Sequence, residues 1–322
     1  MINFRFHLAS LVAIFLALAL GVVIGAGVID RGVVDALDNR INTVETKADK
    51  VQAENDRLVA AAEENANVVA AMGDHAVNGR LVSSDVGVIA VRGVDDDPVN
   101  ETVDDLQQAG ARATGVLWLE SPWKLDDKEQ IAALADAIGS SSRRPTVLRE
   151  QAWQQITRQL LVPHANTSTS TTQSEGSASS NVLVALRDAG FVTFDQVDGQ
   201  GSIDEFAGNV PMIALMVGND TDVPASDVVM PAANALTAVG IPLVVGADYV
   251  IDAQPPSSRG DDLTALRDSP LSTRVSTVND LDRPQGPVTV VLALADLLRD
   301  PPVVGHYGIG ANTVLMPEPL PS

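Results

Sequence analysis

Val86 to Gly110 reads VGVIAVRGVDDDPVNETVDDLQQAG, and its two halves carry different patterns. Val86 to Val91 is a short apolar run rich in β-branched residues, bounded by a turn, which reads as a buried strand. After the turn, residues 98 to 109 take up helical periodicity, and Gly110 closes them. The pair is a β-α unit. The alternation continues with a strand near Thr114 to Leu119, helices near 126 to 138 and 145 to 161, and a helix from Asn181 to Ala189 stopped by Gly190. Further strands fall near Phe191 to Phe194, Met212 to Val217 and Leu243 to Gly246, and an amphipathic helix near Pro284 to Leu298 precedes the tail. Strands separated by helices imply an α/β head with a mainly parallel, Rossmann-like sheet covered on both faces. The Ser/Thr-rich stretch 165–180 (ANTSTSTTQSEGSASS) has no apolar period and reads as an exposed loop inserted in that head.

Upstream of the head the period changes. Val34, Leu37, Ile41, Val44, Ala48, Val51, Asn55, Leu58, Ala62, Asn65, Val69 and Met72 alternate spacings of three and four, the a/d pattern of a coiled coil. With Val34 at a, Ile41 and Val69 also fall at a while Leu37 and Leu58 fall at d, a distribution that favours a parallel two-stranded coil. Asn55 falls at a, where pairing with its own copy selects register and dimer state at some cost in stability. Arg40 at g faces Glu45 of the partner subunit at e, a pair worth only tenths of a kcal/mol. The competing arrangement is a helix that packs this stripe on its own head. Gly73-Asp74 ends the pattern, and residues 30 to 72 would project about 65 Å along a helix axis.

Before the stalk, Leu8 to Ile29 (LASLVAIFLALALGVVIGAGVI) is uncharged throughout and makes about 33 Å of helix, enough to cross a bilayer. A cleaved signal peptide is the alternative, with Ala17-Leu18-Ala19 as the cleavage signature, but the apolar run continues well past Ala19. Ala9, Ala13, Ala17, Gly21 and Gly25 recur every fourth residue, a small-residue stripe along which two such helices can approach closely. Basic residues flank both ends, Arg5 on one side and Arg31 and Arg40 on the other, so charge counting alone does not orient the helix. A short polar lead before a long anchor is the form of a signal anchor, which keeps the N-terminus in the cytoplasm and exports the rest of the chain. The expected layout is a lead and transmembrane helix at 1–29, a dimeric stalk at 30–73 and an extracytoplasmic head at 74–322.

Composition removes several function classes. With 42 acidic against 21 basic side chains the formal charge is −21, which repels nucleic acid. The chain has no cysteine, so disulfides, thiolate metal sites and cysteine nucleophiles are excluded. Apolar residues at 45% supply a sizeable core.

The chemistry-bearing residues are scattered. Asp95, Asp96 and Asp97 follow the first strand, at the edge where open α/β sheets bind ligands, and offer oxygen ligands to a hard cation. The competing reading is a solvated turn with Asp97 capping the helix that begins at Pro98. Gly308-Ile309-Gly310 is a fragment of a dinucleotide fingerprint but lacks its third glycine and reads as a turn. For copper the nitrogen and thioether inventory is His75, His164, His306, Met72, Met212, Met216, Met230 and Met316, with Met212 and Met216 in a strand where core packing is their role. No H-E-x-x-H, G-x-S-x-G or P-loop pattern occurs, so an enzyme is not expected.

The opening INFRFHLASLVAIFLALALGVVIGAG, the strand VIAVRGV and the closing GHYGIGANTVLMPEP together resemble the MctB-like copper transport proteins of actinobacteria, across essentially the whole chain. The resemblance implies an envelope protein linked to copper export or resistance, described in mycobacteria as channel-forming and associated with the outer membrane. It also implies kinship with a corynebacterial relative connected with daughter-cell separation. One helix with no polar residue beyond Ser10 cannot line a water-filled path by itself, so the residues favour a dimeric scaffold or regulator of another envelope component, which the resemblance to the corynebacterial relative implies is a cell-division component. The alternative is copper binding or passage, with His306 and Asp95 to Asp97 as candidate ligands. Dimerisation is expected through Ala13, Ala17, Gly21 and Gly25 in the membrane and through Val34, Leu37, Ile41, Val44, Val51, Asn55, Leu58 and Val69 outside it.

Overall fold

The computed structural model describes residues 4–27, 31–161, 181–197, 199, 201–208, 210–219, 221–250, 262–310 and 312–318. The Ser/Thr-rich stretch 165–180 lies outside these residues. The chain forms two compact units, Met1–Asn65 and Ala66–Ser322.

The first unit contains helix α1 (Phe4–Gly27) and most of α2 (Arg31–Val77). α1 carries no Asp, Glu or Lys, and its apolar side chains face outward on every side. It is long and apolar enough to cross a bilayer. α2 continues past Gly73-Asp74, where the sequence pattern had placed its end, because Gly73 is used for contact. A Cβ at that position would lie 2.5 Å from Val288 Cγ2, so only glycine lets the helix continue against its neighbour.

The second unit is a seven-stranded sheet in the order β3-β2-β1-β4-β5-β6-β7. The strands are β1 (Val86–Val91), β2 (Gly115–Leu119), β3 (Val192–Gln196), β4 (Met212–Met216), β5 (Leu243–Gly246), β6 (Ser276–Val278) and β7 (His306–Tyr307). Every pairing is parallel except that of β2 with the edge strand β3. The order is that of a doubly wound sheet, with the reversal between β1 and β4.

Strand alternation divides the core into two layers. Ile89, Val91, Ile213, Leu215 and Val217 point to one face, under α4 (Lys128–Ala137), α5 (Pro145–Leu160), α6 (Val182–Asp188), α7 (Ile203–Phe206), α8 (Ala225–Ala238) and α9 (Thr264–Arg267). Val86, Val88, Ala90, Met212, Ala214 and Met216 point to the other, under α3 (Asp96–Gln108), α10 (Gly286–Leu297) and the end of α2. Met212 and Met216 are fully buried there, as core residues. The antiparallel edge is fastened by Arg92. Its guanidinium lies 3.0 Å from Glu120 Oε1 and 4.2 Å from the centre of the Trp118 ring, and donates to Thr193 Oγ1 on β3.

Candidate functional site

In a sheet with this strand order the ligand crevice lies beyond the carboxyl ends of β1 and β4. A nucleotide-binding version needs a glycine-rich turn opening onto a bare helix N-terminus. Here the turn after β1 is Arg92-Gly93-Val94-Asp95, and the Asp95 carboxylate caps α3 by accepting from Asp97 N at 3.4 Å. The cap is therefore Asp95 and not Asp97, because the helix begins two residues earlier, at Asp96. Asp96 and Asp97 occupy its first turn, where negative charge complements the helix dipole. The position a phosphate would take is thus filled with carboxylates. Asp222 N donates to the Arg92 carbonyl at 2.8 Å and ties the β4 side of the crevice to the β1 side.

Gly308-Ile309-Gly310 is equally committed to the fold. Asn279 clamps Ile309 with both ends of its amide, donating to the carbonyl and accepting from the N–H at 2.7 Å each. A Cβ on Gly308 would lie 2.0 Å from Asn279 Oδ1.

Beside the capped end of α3 an acidic cleft of about 450 Å³ opens between α3, the end of α2 and residues 281–284. Asp74, Asp95, Asp97, Glu101, Asp104, Asp105 and Asp282 line it, together with Arg283. Asp97, Glu101 and Asp104 stand four and three residues apart along one face of α3, so their charges accumulate. Burial, followed by Asp74, Glu101 and Asp104, pushes the Asp105 carboxyl up to about 7. Burial, then Asp97 and Asp104, also raises Glu101. Such a cleft attracts cations and repels anions. Of the residues singled out from sequence, Asp95 and Asp97 line it. Asp74, Glu101, Asp104, Asp105 and Asp282 were not singled out, although the acidic spacing along α3 is visible in the sequence.

His306 is elsewhere. It opens β7, four strand spacings from β1, roughly 19 Å across the sheet. Its Nδ1 is 2.9 Å from Thr277 Oγ1, and burial, followed by the nearby Arg267 charge, lowers its pKa. His306 and Asp95 to Asp97 are therefore not brought together. Among the described residues no three His, Asp or Glu side chains converge as a metal site.

The third surface is the apolar stripe of α2. Leu37, Ile41, Val44, Val51 and Leu58 are exposed, Val51 at 69%. Asn55 is exposed between them, while Val69 is half buried and Met72 is 69% exposed. Val34 lies in α2, but its side chain is outside the described set. On α1, Ala13, Ala17, Gly21 and Gly25 are exposed.

The chain matches the family described as "Copper transport outer membrane protein, MctB" over residues 1–317. It is 28% identical over 315 residues to the copper transporter MctB of Mycobacterium tuberculosis, covering 96% of this chain and 97% of that protein. The Mycobacterium bovis protein of the same name matches equally. The Mycobacterium leprae copper transporter MctB is 27% identical over 332 residues, 99% of this chain and all of that protein. With the match running from the apolar helix to the tail, the chain belongs to the MctB family of copper transport proteins.

Proposed function

We propose that this protein is a single-pass envelope protein, anchored by α1, whose two copies zip along α2 and present the α/β unit outside the cytoplasm as a scaffold for another envelope component. One observation carries this reading: α2 exposes Leu37, Ile41, Val44, Val51 and Leu58 in heptad register, with Leu37 at 58% and Leu58 at 59%. An apolar seam of that length is stable in water only when another helix covers it. An asparagine at an a position fits a self-paired, two-stranded partner. Among the described residues one helix is long and apolar enough to cross a membrane, and one such helix cannot line a water-filled path by itself, so this reading carries a part in copper transport through assembly with a partner.

The test is the mass of the full-length protein in detergent. A dimer that becomes monomeric on Val51→Asp, with cross-linking in its own membrane recovering a second envelope protein, supports the scaffold. A monomeric wild-type chain overturns it.

The acidic cleft and the family's description favour a second reading, in which the protein itself binds copper as cargo. Carboxylate oxygens alone are poor copper ligands beside nitrogen or sulfur donors, which ranks this reading second. Copper titration separates the two: stoichiometric micromolar binding that is lost on His306→Ala or on neutralising Glu101 and Asp105 supports it. No binding removes it.

A further inference from the structure

The end of α2 has two flanks, and they differ in chemistry. Ala70 and Asp74 look into the acidic cleft, whereas Ala76 and Arg80, which follows the helix and bonds back to the Ala76 carbonyl, border a smaller cleft of about 280 Å³ with Met316 and Pro317. Heptad register decides which flank meets a second copy. It assigns Met72 to d and Ala76 to the next a. At about 100° per residue, Ala76 lies about 40° from Met72 around the axis and Asp74 about 160°. The last heptad positions, Met72 and Ala76, therefore face the flank that Met316 borders, and Asp74 with the acidic cleft faces away from it.

That tail presents an uncharged apolar run to solvent: Val314, Leu315 and Met316 are 59%, 64% and 40% exposed. It is not a frayed end. Val314 N donates to the His306 carbonyl at 2.9 Å, and Gly308 N donates to the Val314 carbonyl at 2.8 Å, so the run is pinned to the sheet edge at β7. Met316 lines the same small cleft as Ala76, the a position that follows Met72, so the exposed apolar run of the tail lies on the flank that the last heptad faces.

We propose that Val314 to Met316 is a second self-contact, in which the tail of each copy packs on the other beside Met72 and closes the dimer at the level of the α/β units. The proposal rests on the two-stranded reading of α2. It makes the contact isologous, with the same patch on both copies, and turns the two acidic clefts outward, away from each other. It also gives the exposed tail an occupant without charge, as its own composition requires.

The chain contains no cysteine, so single-cysteine variants report contacts without background. Leu315→Cys, Val51→Cys and Val239→Cys are made in the full-length protein and oxidised mildly in its own membrane. Val239 is exposed at the end of α8, under the opposite face of the sheet. Val51→Cys and Leu315→Cys are expected to run at about twice the 33.7 kDa monomer, with Val239→Cys staying monomeric. If Val51→Cys is cross-linked and Leu315→Cys is not, the tail contact is overturned while the coil stands. If neither is cross-linked, the coil and the tail contact both fall. Equal cross-linking of Leu315→Cys and Val239→Cys means random collision and also overturns the tail contact.

Discussion

Gly73 of α2 sits against Val288 of α10 so closely that a Cβ on the glycine would stand 2.5 Å from Val288 Cγ2. This contact fastens the last turns of α2 into the same compact unit as the sheet. Gly73→Leu has no room, and Val288 is β-branched on a helix, where its rotamer is stiff. Overpacking of this kind costs about 1–3 kcal/mol and lowers the thermal midpoint of the full-length protein by roughly 2–12 °C. Adding Val288→Ala should recover part of that loss. A single variant as stable as wild type would mean that the contact is loose.

Arg149 on α5 joins three segments. Its Nε donates to the Trp123 carbonyl at 3.1 Å, its guanidinium also reaches the Lys124 carbonyl, and it stands 2.8 Å from Asp227 Oδ2 on α8. The arginine side chain is 7% exposed and Asp227 31% exposed, so the ion pair is only partly screened. Arg149→Met keeps the stem's packing and removes the donors. Stability in urea should fall by about 2–4 kcal/mol. A loss below about half a kcal/mol would show that water replaces the guanidinium without cost.

The acidic cleft makes stability depend on pH in a direction opposite to that of a salt-bridged aspartate. Asp105 titrates near 7 in the folded chain against an ordinary value of 3.8, so the native state holds a proton that the unfolded state releases. The stabilisation is fully present below about 3.8 and is lost as pH rises through about 7. Asp105→Asn removes this titration while nearly keeping the shape. Its thermal midpoint should exceed that of wild type at about pH 8, with the difference shrinking towards about pH 4. An unchanged difference across that range would place Asp105 in water.

The β-α alternation and the apolar helix were legible because each rests on a local period. The features that escaped rest on tertiary context. Ser276–Val278 and His306–Tyr307 are too short to show a period, and become strands because β5 supplies the edge for β6 and β6 then supplies it for β7. Pro231 argues against a helix over Ala225–Ala238, yet α8 forms because the buried Val228, Val229, Ala232 and Leu236 gain more from packing than the lost backbone bond costs. The parallel alternation of the sheet concealed the reversed direction of β3, which is an antiparallel edge. The acidic cleft was half legible: the spacing of Asp97, Glu101 and Asp104 lies in the sequence, whereas the approach of Asp74 and Asp282 to them depends on how the end of α2 and residues 281–284 lie beside α3.

Asn55 gives the sharpest test of the self-paired seam. A polar a residue is a poor choice for a helix that merely lies on an apolar surface, since its amide would be buried without a partner. In the proposed dimer the two amides would bond to each other, which lowers stability while rejecting shifted registers and higher assemblies. Asn55→Val should therefore raise the thermal stability of the helical stalk and, at the same time, broaden the full-length protein from a single dimer into a mixture that includes larger oligomers. Both changes are read by circular dichroism and sedimentation on one sample. Higher stability with a strictly dimeric protein would assign specificity to other positions. No change in either quantity would mean that Asn55 faces water, and the heptad register built from Val34 to Met72 would have to be abandoned.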